Sequence, residues 1–214
     1  MKEKILYTNI SKILLNKILL SNKITLGENN MHTCTCKKDT NIVKMYGMEF
    51  DLSTPKGCSK YALEVLEGPW EEGSEGEAII LESASETYWY IRGVIKGPWA
   101  KGEEIISTDP EWSYEYAREI IKGPWAKGEE AISTDPTRSM QYAKDIIKGP
   151  WEKGEKAISK SVFQSIDYAV KVLKGRFPRA EDRLRRTYSN GPCWKEYQWK
   201  LGKIGVVIED LIED

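Results

Sequence analysis

A tetrapeptide that returns at a fixed interval constrains this chain more than any other feature. Lys-Gly-Pro-Trp begins at Lys96, Lys122 and Lys148, a variant begins at Glu67, and a diverged copy begins at Lys174. From Lys96 onward, each copy begins 26 residues after the one before it. A fixed period of this length is typical of proteins in which each repeat is one supersecondary unit. We therefore expect an array of similar units.

One repeat carries the start and stop signals of a helix, which we name helix B. Asp109 suits an N-cap, because its carboxylate can accept the first free backbone N–H groups, and Pro110 suits the first helical position. Ala117 and Ile121 lie four residues apart on the expected apolar face. Gly123 is expected to take the left-handed conformation that ends the helix, and the proline after it prevents continuation.

A shorter helix, helix A, is predicted from about Pro124 through Ile132. It carries Trp125 on its apolar side, and Gly128 within it lowers its stability by up to about 1 kcal/mol relative to alanine. Each repeat is thus an antiparallel helix pair that buries its apolar face only by stacking on its neighbours. These features predict an all-α fold, an α-solenoid of about five two-helix repeats with non-repeat terminal caps.

The repeats do not fill the whole chain. We predict an N-terminal cap or leader at 1–50, tandem two-helix repeats at 51–187, and a C-terminal cap at 188–214. Residues 1–30 have the apolar spacing of an amphipathic helix, which favours a capping role over a membrane-surface or targeting helix. The copy that follows Glu67 carries three extra residues around Gly73 and has Ser83-Ala84 in place of Asp-Pro, but alanine can start a helix with little penalty, so its helix B is expected to persist.

Composition limits the functional classes. The 32 basic and 33 acidic side chains nearly balance, so the net charge gives no general reason to expect nucleic acid or membrane as a partner. Four cysteines are too few for a disulfide scaffold, which favours a reducing compartment and a cytoplasmic location. The longest apolar zone, Ile10 to Leu20, contains two lysines and is too short to span a membrane.

The repeat unit resembles the tandem helical repeats of uncharacterised bacteriophage and large-DNA-virus proteins. In those repeats a Tyr-Ala pair leads to Ile-Lys-Gly-Arg-Trp, then to a glutamate, an apolar pair and Asp-Pro. The matching positions here are Tyr116, Ala117, Ile121, Lys122, Gly123, Trp125, Gly128, Glu129, Ile132, Asp135 and Pro136. Gly-Pro mostly replaces Gly-Arg in this chain. The resemblance implies an all-helical array from about 51 to 200 and a viral source, in which case the location is the host cytoplasm.

Aromatic residues that vary between copies mark a candidate protein-binding patch. Tyr116, with its counterparts one period away, recurs in every clear copy and is expected in the core. By contrast, Tyr88, Trp89, Trp112 and Tyr114 vary at the start of helix B, and interfaces favour Tyr and Trp anchors. This patch predicts a noncatalytic protein-interaction module, such as a viral accessory factor that binds or inhibits a host protein.

A second candidate surface is a row of lysines near the tryptophans. The turn from helix B to helix A presents Lys96, Lys101, Lys122, Lys127, Lys148 and Lys153. A lysine and tryptophan edge of this kind predicts, as the alternative, a helical-repeat protein that binds nucleic acid by charge and base stacking. The simpler interpretation, which we favour, is that the lysines stay solvated at helix ends while the tryptophans pack between repeats.

Metal and catalytic sites are not expected. His32, Cys34, Cys36 and Cys58 have the side chains that zinc prefers, but Cys-x-Cys lacks the usual spacer and no second cysteine pair follows. The chain has no phosphate-binding glycine loop, no His-Glu-x-x-His and no nucleophile elbow. We therefore predict that the protein is not an enzyme and uses no cofactor.

Overall fold

The computed structural model describes residues 41–186 and 192–208. The predicted N-terminal helix within 1–30 and the candidate zinc ligands His32, Cys34 and Cys36 lie outside these residues. The chain divides into two compact units, Met1–Ile95 and Lys96–Asp214, which are described separately. The predicted all-α helical-repeat fold is confirmed, since the described residues form packed helices with one small hairpin.

The described part of the first unit begins with a two-stranded antiparallel hairpin. Strand β1 spans Ile42–Met45 and strand β2 spans Met48–Asp51. The two residues that connect the strands, Tyr46 and Gly47, both have positive φ, as a tight hairpin turn requires. Phe50 on β2 is buried and meets the Tyr61 ring edge-on, with ring centroids 5.5 Å apart. The hairpin thereby covers the first helix of the repeats.

Three helices follow the hairpin within the described residues of the first unit. Helix α1 spans Pro55–Tyr61 and continues as a π-helical segment, Ala62–Leu66; α2 spans Glu75–Ile80; and α3 spans Ala84–Tyr90 and continues as a π-helical segment, Ile91–Ile95. Helices α1 and α3 occupy the helix B positions of the first two copies, and α2 is a helix A. Ser83 caps α3 in place of the usual aspartate, since its side chain accepts the Glu86 backbone N–H.

The second unit continues the alternation of short A helices and longer B helices. The A helices are α4 (Ala100–Ile106), α6 (Ala126–Ile132), α8 (Glu152–Ile158) and α10 (Pro178–Arg186). The B helices are α5 (Pro110–Tyr116, then π-helical Ala117–Ile121), α7 (Pro136–Gln141, then Tyr142–Ile147) and α9 (Val162–Tyr168, then Ala169–Leu173). Helix α11 spans Pro192–Lys203 and packs on α10 and α9.

The predicted N-caps of the B helices are confirmed. The Asp109 carboxylate accepts the backbone N–H groups of Glu111 and Trp112, and Asp135 accepts that of Arg138. A proline follows each aspartate at the first helical position, where no donor is needed. These local signals therefore set where each B helix begins.

The predicted end of helix B was wrong by one residue. Lys122, with φ of 58°, takes the left-handed conformation that was expected of Gly123. The last turn is wider than an α-turn, because the Ala117 carbonyl accepts the N–H groups of both Lys122 and Gly123. Helix A also begins later than predicted, at Ala126 instead of Pro124. The tight connection thus depends on left-handed lysines at 96, 122, 148 and 174.

The core between the repeats is built from residues that recur every period. Tyr116, Tyr142 and Tyr168 are fully buried, as predicted for the repeat-locked tyrosines. In each B helix of the second unit, a buried serine donates a hydrogen bond to the carbonyl of the last residue of the A helix before it. These bonds run from Ser113 to Ile106, from Ser139 to Ile132, and from Ser165 to Ile158, over 2.8 to 3.0 Å.

Candidate binding surface

A tyrosine hydroxyl ties each B helix of the second unit to the A helix before it. The Tyr142 hydroxyl accepts a hydrogen bond from the Trp125 backbone N–H (2.9 Å) and donates one to the Glu129 carboxylate (3.0 Å). Trp125 is the N-cap of α6, and its side chain makes no capping hydrogen bond. The tyrosine therefore supplies a partner that the local sequence lacks. Tyr116 makes the same two bonds with Trp99 and Glu103, and Tyr168 makes them with Trp151 and Glu155.

Burial keeps these hydroxyl groups protonated. Desolvation, together with the adjacent glutamates, raises the pKa of Tyr142 and of Tyr168 to about 12. Desolvation is also the largest cause that raises the pKa of Tyr116. A hydroxyl that does not ionise near neutral pH acts as a hydrogen-bond bridge and is poorly suited to exchange protons with a substrate. The recurrent Tyr–Glu pairs are therefore structural.

The recurrent tryptophans are packing residues. Trp125 and Trp151 are buried, and Trp125 lies against Tyr116 with ring centroids 4.7 Å apart. A Cβ added at Gly128 would lie 2.3 Å from the Trp125 ring, so the glycine makes room for the indole. Gly154 has the same relation to Trp151. Trp125 and Trp151 are therefore not available to stack on nucleic-acid bases, whereas Trp99 is half-buried.

The four aromatic residues of the predicted patch differ in exposure. In the first unit, the Tyr88 side chain is 2% exposed, whereas Trp89 is 49% exposed and carries Arg92 over its ring at 5.3 Å. In the second unit, Tyr114 is 1% exposed and Trp112 is half-buried. Tyr88 and Tyr114 therefore contribute to packing, because side chains this deeply buried present no contact area. Only Trp89 and Trp112 offer surface.

Tyr114 is instead the centre of a polar link between B helices. Its hydroxyl donates a hydrogen bond to Asp145 on the next B helix (3.1 Å). The guanidinium groups of Arg118 and Arg138 lie over its ring at 5.4 and 5.7 Å. Burial is the largest cause that raises the pKa of Tyr114. Variation of this position between copies thus reflects a contact between repeats.

The patch predicted at the start of the B helices included Trp112 but missed the exposed residues beside it. Phe163 is 77% exposed at the start of α9, and the residues one and two periods earlier are Thr137 and Glu111. The next position holds Trp112, Arg138 and Gln164 in successive copies. Contacts join these positions across repeats, since Arg138 pairs with Glu111 at 2.9 Å and Gln164 donates to Thr137 at 3.4 Å. Alignment by the period shows that this row varies, which is the signal that could have identified it.

The predicted lysine edge carries both signs of charge. Lys127 pairs with Glu104 at 2.5 Å, and Lys153 pairs with Glu130 at 3.2 Å, so each of these lysines binds a glutamate of the preceding repeat. Lys96, Lys122 and Lys148 are exposed at the left-handed helix ends, and Lys101 is half-buried. The edge is therefore less basic than the lysine count suggests.

Three further findings bear on function. Within residues 41–186 and 192–208, no group of three or more His, Cys, Asp or Glu side chains is placed to hold a metal ion. Cys58, the one described member of the candidate zinc set, is buried; its thiol donates to the Leu52 carbonyl, and burial raises its pKa to about 11. None of the helices in the described residues is long and apolar enough to cross a membrane.

Comparisons with protein-family models, with curated proteins and with solved structures gave no match to this chain.

Proposed function

We propose that this chain is a noncatalytic helical-repeat protein that binds a protein partner through the exposed first turns of its B helices. One observation carries the proposal. The interior of each repeat is nearly constant, whereas the row at 111, 137 and 163 and the row at 112, 138 and 164 change chemistry in every copy. A constant scaffold with a varied surface is how repeat arrays present binding sites.

The composition of the two rows suits a protein partner. They include an exposed phenylalanine, a half-buried tryptophan and an arginine: Phe163, Trp112 and Arg138. Tryptophan and arginine are enriched among the residues that contribute most to protein–protein binding. Phe163 is the most exposed aromatic side chain among the described residues, and such a ring gains most from being covered. A mixed apolar and charged surface of this kind favours a folded protein partner.

Pull-down from a lysate of a candidate host tests the proposal. The full chain is compared with a Trp112→Ala/Phe163→Ala variant and with a Lys122→Glu/Lys148→Glu variant, each with and without nuclease. We expect a discrete protein that survives nuclease, is lost with the aromatic variant and is retained by the lysine variant. Recovery of nucleic acid that is lost only with the lysine variant would favour the alternative, since such binding depends on phosphate contacts.

The viral source and the host target remain predictions from the repeat resemblance, as does the cytoplasmic location. They define which lysate to use first. A partner that is captured equally by all three forms of the protein would contradict the proposed surface, because neither row nor the lysine edge would then be needed.

A further inference from the structure

The last A helix carries three arginines on one face. Arg179, Arg183 and Arg186 lie at positions i, i+4 and i+7 of α10, which places them along one stripe of the helix. They border an open cleft of about 440 Å³. Among the described residues, its lining is Ser159, Lys160, Arg179, Asp182, Arg183 and Arg186. The cleft thus joins the face of α10 to the two residues that follow α8.

The charges of the cleft are strongly unbalanced. Four of its side chains are cationic and one, Asp182, is anionic, which leaves a formal charge of three positive. Glu155 lies just beside it, with its Oε2 atom 4.0 Å from the Arg179 Nε atom. Like charges spaced four residues apart disfavour a helix. The clustering therefore opposes the local stability of α10, and a bound anion would relieve it.

The preceding repeats share only part of this charge. Lysines stand one and two periods before Arg179, at 153 and 127, and Lys160 stands one period before Arg186. Lys153 and Lys127 are each paired with a glutamate of the repeat before. One period before Arg183 stands Ala157, which is buried, whereas Arg183 is exposed. The central arginine is therefore what distinguishes the last A helix from the repeat unit.

We propose that this cleft binds a ligand that carries two or more phosphate groups. Guanidinium groups form paired hydrogen bonds with phosphate oxygens, and three of them along one stripe can engage more than one phosphate. A phosphate monoester carries about −1.5 to −2 charges at neutral pH, so two such groups balance the charge of the cleft. The ligand is either a soluble polyphosphate or the headgroup of a phosphorylated lipid, which share this chemistry.

The confinement of the cluster argues against a nucleic-acid strand. Proteins that bind single strands use a basic groove that follows the backbone over several nucleotides. Here the position of Arg183 is alanine in the two preceding A helices, and the lysines at the position of Arg179, Lys153 and Lys127, are paired with glutamates of the repeats before them. The cleft therefore suits a compact anion. This site is separate from the proposed protein-binding rows, so the two proposals fail independently.

Titration calorimetry with the full chain tests the proposal, using inositol hexakisphosphate and inorganic pyrophosphate as probes. Arg183→Ala is compared with Arg185→Ala, which removes the same charge from the same helix but lies outside the cleft, over the Trp194 ring at 4.1 Å. We expect Arg183→Ala to weaken binding by about tenfold or more and Arg185→Ala to leave it within about twofold. Circular dichroism confirms that both variants fold.

Co-sedimentation with phosphatidylcholine vesicles that contain phosphatidylinositol bisphosphate separates the two sources of phosphate. Binding to these vesicles but to neither soluble probe, lost with Arg183→Ala, assigns the site to a lipid headgroup. Equal loss in both arginine variants would overturn the site, because a general charge effect would then explain the binding. Absence of binding to the two soluble probes and to the vesicles would also overturn the site. So would binding to a single-stranded oligonucleotide that is tighter than binding to these probes and becomes tighter as the oligonucleotide is lengthened.

Discussion

The repeat centred on Trp125 and the last repeat, centred on Phe177, use the same hydrogen bonds around different rings. In the first, the Tyr142 hydroxyl accepts the Trp125 N–H at 2.9 Å across 17 residues of chain. In the last, the Tyr197 hydroxyl accepts the Phe177 N–H at 2.7 Å across 20 residues. The tyrosine hydroxyl therefore makes this hydrogen bond whether the ring is Trp or Phe, and whether 17 or 20 residues separate the two partners. We infer that the repeat requires this hydrogen bond.

The ring and the small residue beside it change together. Where the ring is Trp125, the residue three positions on is Gly128, and an added Cβ there would lie 2.3 Å from the indole. Where the ring is Phe177, the same position holds Ala180, which is fully buried. A smaller ring leaves space for one methyl group, so the pair keeps its total volume. The comparison teaches that the two positions form one packing unit.

The largest expected effect comes from breaking that unit. We expect Gly128→Ala to destabilise the protein by about 2–3 kcal/mol, although alanine is the better helix former, because the methyl group overlaps the Trp125 ring. In a Trp125→Phe background the same change should cost at least about 1 kcal/mol less. Urea unfolding of the four proteins measures this coupling. Additive costs would show that the ring and the glycine are independent.

The next effect tests the hydroxyl link itself. Tyr142→Phe removes the hydroxyl that joins the Trp125 N–H to Glu129, so both groups lose the hydrogen bond that they make with Tyr142. We expect a loss of about 1–3 kcal/mol, measured by thermal or urea unfolding. Tyr114→Phe is the matched control, since it also removes a buried tyrosine's hydroxyl, but the bonds it breaks are to the side chains of Asp145 and Arg118. A cost for Tyr142→Phe no larger than that of the control would contradict the role of the link.

Alkaline pH acts on the same groups in both regions. Burial raises the pKa of Tyr142, Tyr168 and Tyr197 to about 12, against about 10 in an unfolded chain. Since the folded pKa is the higher one, this stabilisation is complete below about pH 10 and is lost as pH rises toward about 12. We expect the unfolding free energy to fall across that window, less steeply in Tyr142→Phe. Equal slopes in both proteins would argue against buried tyrosines as the cause.

The smallest expected effect is at the left-handed helix end, which both repeats share. Lys122→Gly should stabilise the protein by about 0.5 kcal/mol, because relief of the left-handed strain exceeds the added flexibility of the unfolded chain. Gly123→Ala is the comparison, since Gly123 is not left-handed and its added Cβ meets nothing within 4 Å. Alanine there should stabilise the protein by about 0.4–1 kcal/mol, because it reduces the flexibility of the unfolded chain. Chemical unfolding at neutral pH measures both variants, and a loss of stability in both would contradict the assignment of the left-handed position to Lys122.

Local signals in the sequence determined the helices and where the B helices begin. Asp109 and Asp135 cap the helices as predicted because an N-cap requires only the side chain and the next few N–H groups. The repeat-locked tyrosines were predicted as core from their period alone. Periodicity is enough for such predictions because each unit must bury the same face against its neighbours.

Tertiary structure decided the rest, because it depends on residues that are distant in sequence. Tyr114 varies between copies as a surface residue does, yet it is buried by a contact with Asp145, 31 residues away. The lysine edge was predicted from spacing, but Lys127 and Lys153 are paired with glutamates of the preceding repeat. The left-handed residue is Lys122 because the wider π-helical turn shifts the helix end by one position, which no rule based on glycine preference predicts.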